Sequence, residues 1–235
     1  MPRDEFKPIL TDDGSPTLIH PEFGVTYSSR HGALLQATEL YLKLTGTHQH
    51  LKPKVLEVGF GLGMNFRVTL QDAITRGLRI EYLTYEQFPV SREVLESVSI
   101  ALSPQAEAIW NELLEVWPQP GTLDPVILEG EWGRLEVRFE DVARSSFPRG
   151  WATAIYLDPF DAEVNPEPWS PEVLQELYCA AQPGAFLATY SVAGQLRRDL
   201  EEAGFSVRKV DLRQTLPQAR KRFWLQACVS SETLP

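Results

Sequence analysis

Hydrophobic and polar positions along this chain alternate between two periods. Short apolar runs of β type stand near 54–59, 80–86, 135–140, 153–158, 184–191, 205–211 and 222–229. Between them, segments near 64–76, 91–102, 104–117, 170–181 and 194–203 carry apolar residues at helical spacing. Strand and helix in alternation predict an α/β fold, a mostly parallel sheet with helices on both faces. The stretch 91–130 exceeds a simple crossover and reads as an insertion beside the sheet. The last two runs flank Pro217 and read as a terminal hairpin whose final strand enters antiparallel.

Ahead of the first core strand, Asp12-Asp13-Gly14-Ser15 separates Pro8-Ile9-Leu10 from Thr17-Leu18-Ile19, the pattern of a hairpin. Leu34, Leu35, Leu40, Tyr41, Leu42 and Leu44 then fall at near-helical spacing, ending at Gly46. Residues 1–50 are therefore expected to form an N-terminal hairpin and helix extension, and 51–235 one α/β domain. No apolar run is long enough for a membrane span, and the opening MPRDEFKP is charged, so a soluble cytoplasmic protein is expected. Cys179 and Cys228 are the two cysteines, with no C-x-x-C, and neither a disulfide framework nor a metal site is expected.

Charge narrows the partners. A net charge of −10 argues against a generic nucleic-acid binder. Its distribution is uneven: Glu81 to Asp141 holds thirteen acids against three bases, whereas Arg197 to Arg222 holds eight bases against four acids. A basic C-terminal region can still face phosphates. Solvated helix faces account for the same pattern.

The chemistry centres on Lys54 to Phe66, KVLEVGFGLGMNF. A β-type run carrying Glu57 meets Gly59, Gly61 and Gly63, and a helix-competent segment follows. Strand, glycine turn and helix let a backbone approach a ligand while helix N–H groups point at it. A dinucleotide fingerprint needs glycine three residues after Gly61, where Met64 stands. The pattern E-x-G-x-G-x-G instead looks like the S-adenosylmethionine (SAM) turn of Rossmann-like methyltransferases. Further strand ends supply more candidates. Glu86 can accept from both ribose hydroxyls or stand as an exposed acid at a strand end, and Asp141 can accept from an adenine amino group or have no part in binding. Asp158, ending the fourth run, stands where a methyl would be presented, and a carboxylate there can position an amine and take its proton. Trp169 offers a face on which a base can stack, or packs in the core.

These stretches, with Tyr27-Ser28-Ser29, Gly32-Ala33-Leu34, Trp117-Pro118, LDPFDAEVNPEPW at 157–169, Pro183-Gly184, ATYSVAGQLRRDLEEAGF at 188–205 and Lys221-Arg222, resemble the MnmC-like family. That family is the methyltransferase domain of the tRNA 5-methylaminomethyl-2-thiouridine biosynthesis bifunctional protein. The resemblance implies a Rossmann-like seven-stranded sheet, mostly parallel with an antiparallel last strand. It also implies SAM-dependent N-methylation of 5-aminomethyluridine at the wobble position of tRNA. By it, Glu57, Gly59, Phe60, Gly61, Gly63 and Asn65 bind SAM, Glu86 holds the ribose, Asp141 meets the adenine and Asp158 lies beside the target amine. Ser191, Gly194 and Arg197 would shape the pocket floor, and Arg198 and Lys221 would meet the substrate. The family's FAD-dependent oxidoreductase domain has no room in 235 residues, so a separate oxidoreductase is expected to supply the aminomethyl substrate. Two other readings remain: a methyltransferase of a small-molecule or protein amine suited to an acidic surface, and a non-catalytic SAM-binding protein.

Overall fold

The computed structural model describes residues 8–118, 124–214 and 222–231. Two two-residue strands, β1 (Ile9–Leu10) and β2 (Pro16–Thr17), pair antiparallel across the predicted Asp-Gly turn. Helix α1 (Ala33–Leu35) runs on into a π-helical segment, Gln36–Lys43, whose inward face buries Ala37, Leu40, Tyr41 and Leu42.

The main sheet contains β3 (Lys54–Val58), β4 (Ile80–Tyr85), β5 (Val126–Gly130), β6 (Gly133–Arg138), β7 (Ala152–Leu157), β8 (Ala181–Thr189), β9 (Ser206–Asp211) and β10 (Phe223–Cys228). Their order is β5-β6-β4-β3-β7-β8-β10-β9. The pairs β6-β4, β4-β3, β3-β7 and β7-β8 are parallel, and β10 lies antiparallel between β8 and β9. All seven expected core strands form, together with an eighth. Strand β5 comes from the tail of the stretch read as an insertion, and pairs antiparallel with β6 across a turn at Glu131-Trp132. Its inward residues Val126 and Leu128 are buried while Ile127 and Glu129 are exposed, the period-2 pattern of an edge strand with one dry face. The run after Pro125 was too short to stand out from the loop beside it.

Two helical layers cover the sheet. One face carries α2 (Met64–Thr75), α4 (Pro104–Val116) and the N-terminal segment, sharing one core with Leu18, Leu40, Tyr41, Phe66, Leu70 and Trp110. The other carries α5 (Pro171–Ala180) and α6 (Gly194–Glu202) over Leu56, Ile155, Leu174 and Leu187. Helix α3 (Arg92–Ser97) is shorter than the periodicity suggests. Because β3, β4, β6, β7 and β8 run the same way, their carboxyl ends share one edge. The loops that follow them meet there.

Candidate active site

A cleft opens beyond the ends of β3, β4, β6 and β7. Of the expected ligand residues, Gly59, Phe60, Gly61, Asn65, Glu86 and Asp158 line it. Gly59 (φ +93°) lies where a Cβ would stand 2.6 Å from the Asp158 carbonyl oxygen, so only glycine lets the ends of β3 and β7 converge. Glu86 is buried and accepts two backbone N–H groups, from Gly61 (2.7 Å) and Phe88 (2.7 Å), while burial raises its pKa. It therefore also fastens the glycine turn to the end of β4.

Asp158 is half-buried, and both of its oxygens are held. Tyr41 donates its hydroxyl to Oδ1 at 2.5 Å, and Asn65 Nδ2 donates to Oδ2 at 2.8 Å. The same Asn65 amide donates to Glu57 Oε1 at 3.0 Å, and the Thr84 hydroxyl donates to Glu57 Oε2 at 2.9 Å. Burial pushes Asp158 up to about 7 and Glu57 up to about 8, against the hydrogen bonds that pull each down.

Several expected residues lie elsewhere. Glu57 is fully buried behind Asn65 and does not line the cleft; it reaches the site through Asn65. A Cβ on Gly63 would meet the Trp110 ring at 2.7 Å, so that glycine serves packing between the turn and α4. Asp141 caps the short 3₁₀ turn Val142–Arg144 by accepting from the Ala143 N–H, while its neighbour Glu140 lines the cleft. Trp169 is buried outside the cleft. Its indole N–H donates to the Phe160 carbonyl at 2.8 Å and its ring meets Tyr190 edge-on, so it braces the loop after β7 and presents no face to a base. Ser191, Gly194, Arg197 and Arg198 follow β8 at the cleft's end of the sheet but outside its lining. Gly194 and both arginines are exposed, with Arg197 paired to Glu201 and Arg198 donating to Gln195. Lys221 lies outside the described residues.

Other residues gather at the site, several from stretches that carry the resemblance but had no role assigned there. Tyr27 and Ser28, from the N-terminal segment, line the cleft with Phe88, Phe160 and Asn165. His20, Phe23, Tyr27, Phe88 and Phe160 form one aromatic cluster at its edge, with His20 stacked on Phe23 at 4.3 Å and Tyr27 meeting Phe160 at 5.1 Å. Arg67, fully buried in α2, donates to the carbonyls of Val98 (2.6 Å), Leu62 (3.0 Å) and Gly63 (3.4 Å) and stacks on Trp110. It ties the glycine turn to the end of α3. An arginine at a plain helical position carries no local signal of this work.

A profile of a family described as S-adenosyl-L-methionine-dependent methyltransferase matches residues 104–229. The tRNA 5-methylaminomethyl-2-thiouridine biosynthesis bifunctional protein MnmC of Aromatoleum aromaticum is 37% identical over 223 residues, 89% of this chain and 34% of that protein. The protein of that name from Paraburkholderia phymatum is 35% identical over 85% of this chain and 32% of its own length. The chain thus spans about a third of the length of the curated relatives it matches. The crystal structure of MNMC2 from Aquifex aeolicus superposes with a TM-score of 0.74 at 26% identity, covering 100% of this chain and 74% of that one.

The cleft fits S-adenosylmethionine. The close approach at Gly59 leaves backbone at the cleft wall, and Glu86 keeps further lone pairs beyond the bonds from Gly61 and Phe88. Asn165 Oδ1 is buried without a hydrogen-bond partner in a residue that lines the cleft, a polar atom that a bound polar ligand would satisfy. Profile, relatives and cleft agree: the chain belongs to the S-adenosyl-L-methionine-dependent methyltransferase family.

Proposed function

We propose that this methyltransferase transfers a methyl group to the primary amine of 5-aminomethyl(-2-thio)uridine at the wobble position of tRNA. The observation that carries the reading is Asp158, a carboxylate at the end of β7 whose two oxygens are fixed by Tyr41 and Asn65 inside the cleft. Gly59, Phe60, Gly61 and Asn65 would line the cofactor, with Glu86 at its ribose. Bound S-adenosylmethionine supplies a methyl on a sulfonium, whose sulfur keeps the electron pair of the broken bond. Asp158 then has two tasks: to hold the acceptor amine, and to take the proton released when nitrogen gains its fourth bond. The names of the relatives support a tRNA acceptor.

Topology adds support for a phosphate-facing rim. Arg197 and Arg198 early in α6, Arg213 after β9 and Arg222 before the antiparallel β10 all emerge at the cleft's end of the sheet. A tRNA acceptor would place the protein in the cytoplasm, with an oxidoreductase activity making the aminomethyl group it receives. The net charge of −10 favours a second reading, a small or protein-borne cationic amine.

The deciding experiment is transfer of labelled methyl to tRNA bearing 5-aminomethyluridine, with Asp158→Ala as control. Label in the wobble nucleoside, absent with a variant that still binds cofactor, is expected. No label in tRNA, with label appearing in a small amine, would move the acceptor to the second reading. Charge-reversal of Arg197 and Arg198 should weaken tRNA methylation most at low salt and flatten its dependence on salt.

A further inference from the structure

Asp158 receives its shortest hydrogen bond from the N-terminal segment. Tyr41 sits in the π-helical segment Gln36–Lys43, is fully buried, and donates its hydroxyl to Asp158 Oδ1 at 2.5 Å. Its position is fixed on two sides. The ring lies 5.4 Å from that of Tyr156 on β7, and its backbone carbonyl accepts the Thr45 hydroxyl at 2.5 Å. Asn65 on α2 holds the other oxygen.

We propose that Tyr41 is a positioning residue for methyl transfer: its hydroxyl fixes one Asp158 oxygen and favours the ionised carboxylate, whose remaining lone pairs face the acceptor amine. The proposal rests on reading Asp158 as the group that takes the amine proton. The geometry is suited to it. The phenol approaches Asp158 Oδ1 at 2.5 Å and the Leu157 carbonyl only at 3.5 Å, so its proton stays directed at Oδ1. Tyr41 itself does not titrate in this role, because burial and the charge of Asp158 hold its pKa well above that of a free phenol. In neutralising the amine's proton, Asp158 becomes the neutral acid and later returns that proton to solvent.

Other groups bear on the same carboxylate. They are Glu57 on β3, Tyr82 on β4 and Tyr190 after β8, which in turn also faces Asp161 in the loop after β7. Burial opposes ionisation of Asp158, while Tyr41 and Asn65 are the hydrogen-bond donors that favour it. Without Tyr41, burial would be opposed by Asn65 alone.

The test is the titration of Asp158, read by carbon NMR of labelled aspartate in protein without cofactor, with Asp158→Asn assigning the resonance. Tyr41→Phe should raise the midpoint by about one pH unit, the worth of one charge-assisted hydrogen bond. Replacing Tyr41 with 3-fluorotyrosine, which keeps the shape and makes the hydroxyl a stronger donor, should lower it. The rising limb of kcat against pH should move the same way in each protein, with KM for S-adenosylmethionine changing by less than about twofold. A midpoint unmoved by both changes overturns the proposal, as does activity falling equally at every pH. If Tyr41→Phe does not fold, the fluorotyrosine protein decides alone. Full turnover by Asp158→Asn would instead sink the proton-acceptor reading, leaving the titration to report the Tyr41 contact by itself.

Discussion

Glu57→Gln removes one buried titratable group and almost no volume. Glu57 lies wholly inside β3, and burial, with a smaller contribution from the charge of Asp158, lifts its pKa from 4.5 to about 8. The folded protein therefore holds a proton that the unfolded chain releases across the window between those values, and stability falls as pH rises through it. For this one group the loss between pH 5 and pH 8 is on the order of 3 kcal/mol, at 1.36 kcal/mol per pKa unit. Glutamine preserves the contacts: its oxygen can accept from Asn65, and its amide can donate to the Thr84 hydroxyl. The variant should match the wild type near pH 5 and exceed it at pH 8, as read by urea unfolding across that range. Cofactor affinity should hold, since Glu57 does not line the cleft. Stability curves that stay parallel from pH 5 to pH 8 would refute the burial argument. A collapse of cofactor binding would show instead that Glu57 touches the ligand.

Gly59→Ala should abolish cofactor binding by calorimetry and cost about 2–5 kcal/mol, combining left-handed strain with a Cβ driven against the Asp158 carbonyl. Arg67→Lys keeps the charge but cannot span three carbonyls with one ammonium; a loss of about 1–3 kcal/mol per orphaned carbonyl is expected in urea unfolding, with weakened cofactor affinity through Leu62. Trp169→Phe deletes the bond to the Phe160 carbonyl, and should cost about 1 kcal/mol and lower kcat more than it weakens cofactor binding. Equal stability in that variant would remove Trp169 as the brace of the loop.

The α/β alternation, the seven core strands and the glycine turn were legible in the chain because they depend on local periodicity and on backbone conformations only glycine adopts readily. That Asp158 and Glu86 line the cleft was legible for a related reason: in a parallel sheet the residue that ends a strand arrives at the edge where the loops meet. Strand β5 was not, since a five-residue edge strand earns its state from pairing with β6 and has little signal of its own. Nor could sequence assign inward and outward roles among neighbours such as Glu140 and Asp141, or tell Trp169 as a brace from Trp169 as a stacking face. One residue's rotation reverses each answer. The roles of Tyr41, Tyr27 and Arg67 came from tertiary structure alone. Tyr41 lies 117 positions from Asp158 in the chain, and only packing of the N-terminal segment against α2 brings the phenol to the carboxylate. The sequence determined which elements would form and where a ligand would meet them. Folding decided which side chains share a hydrogen bond there, because that depends on distances between elements that no local pattern encodes.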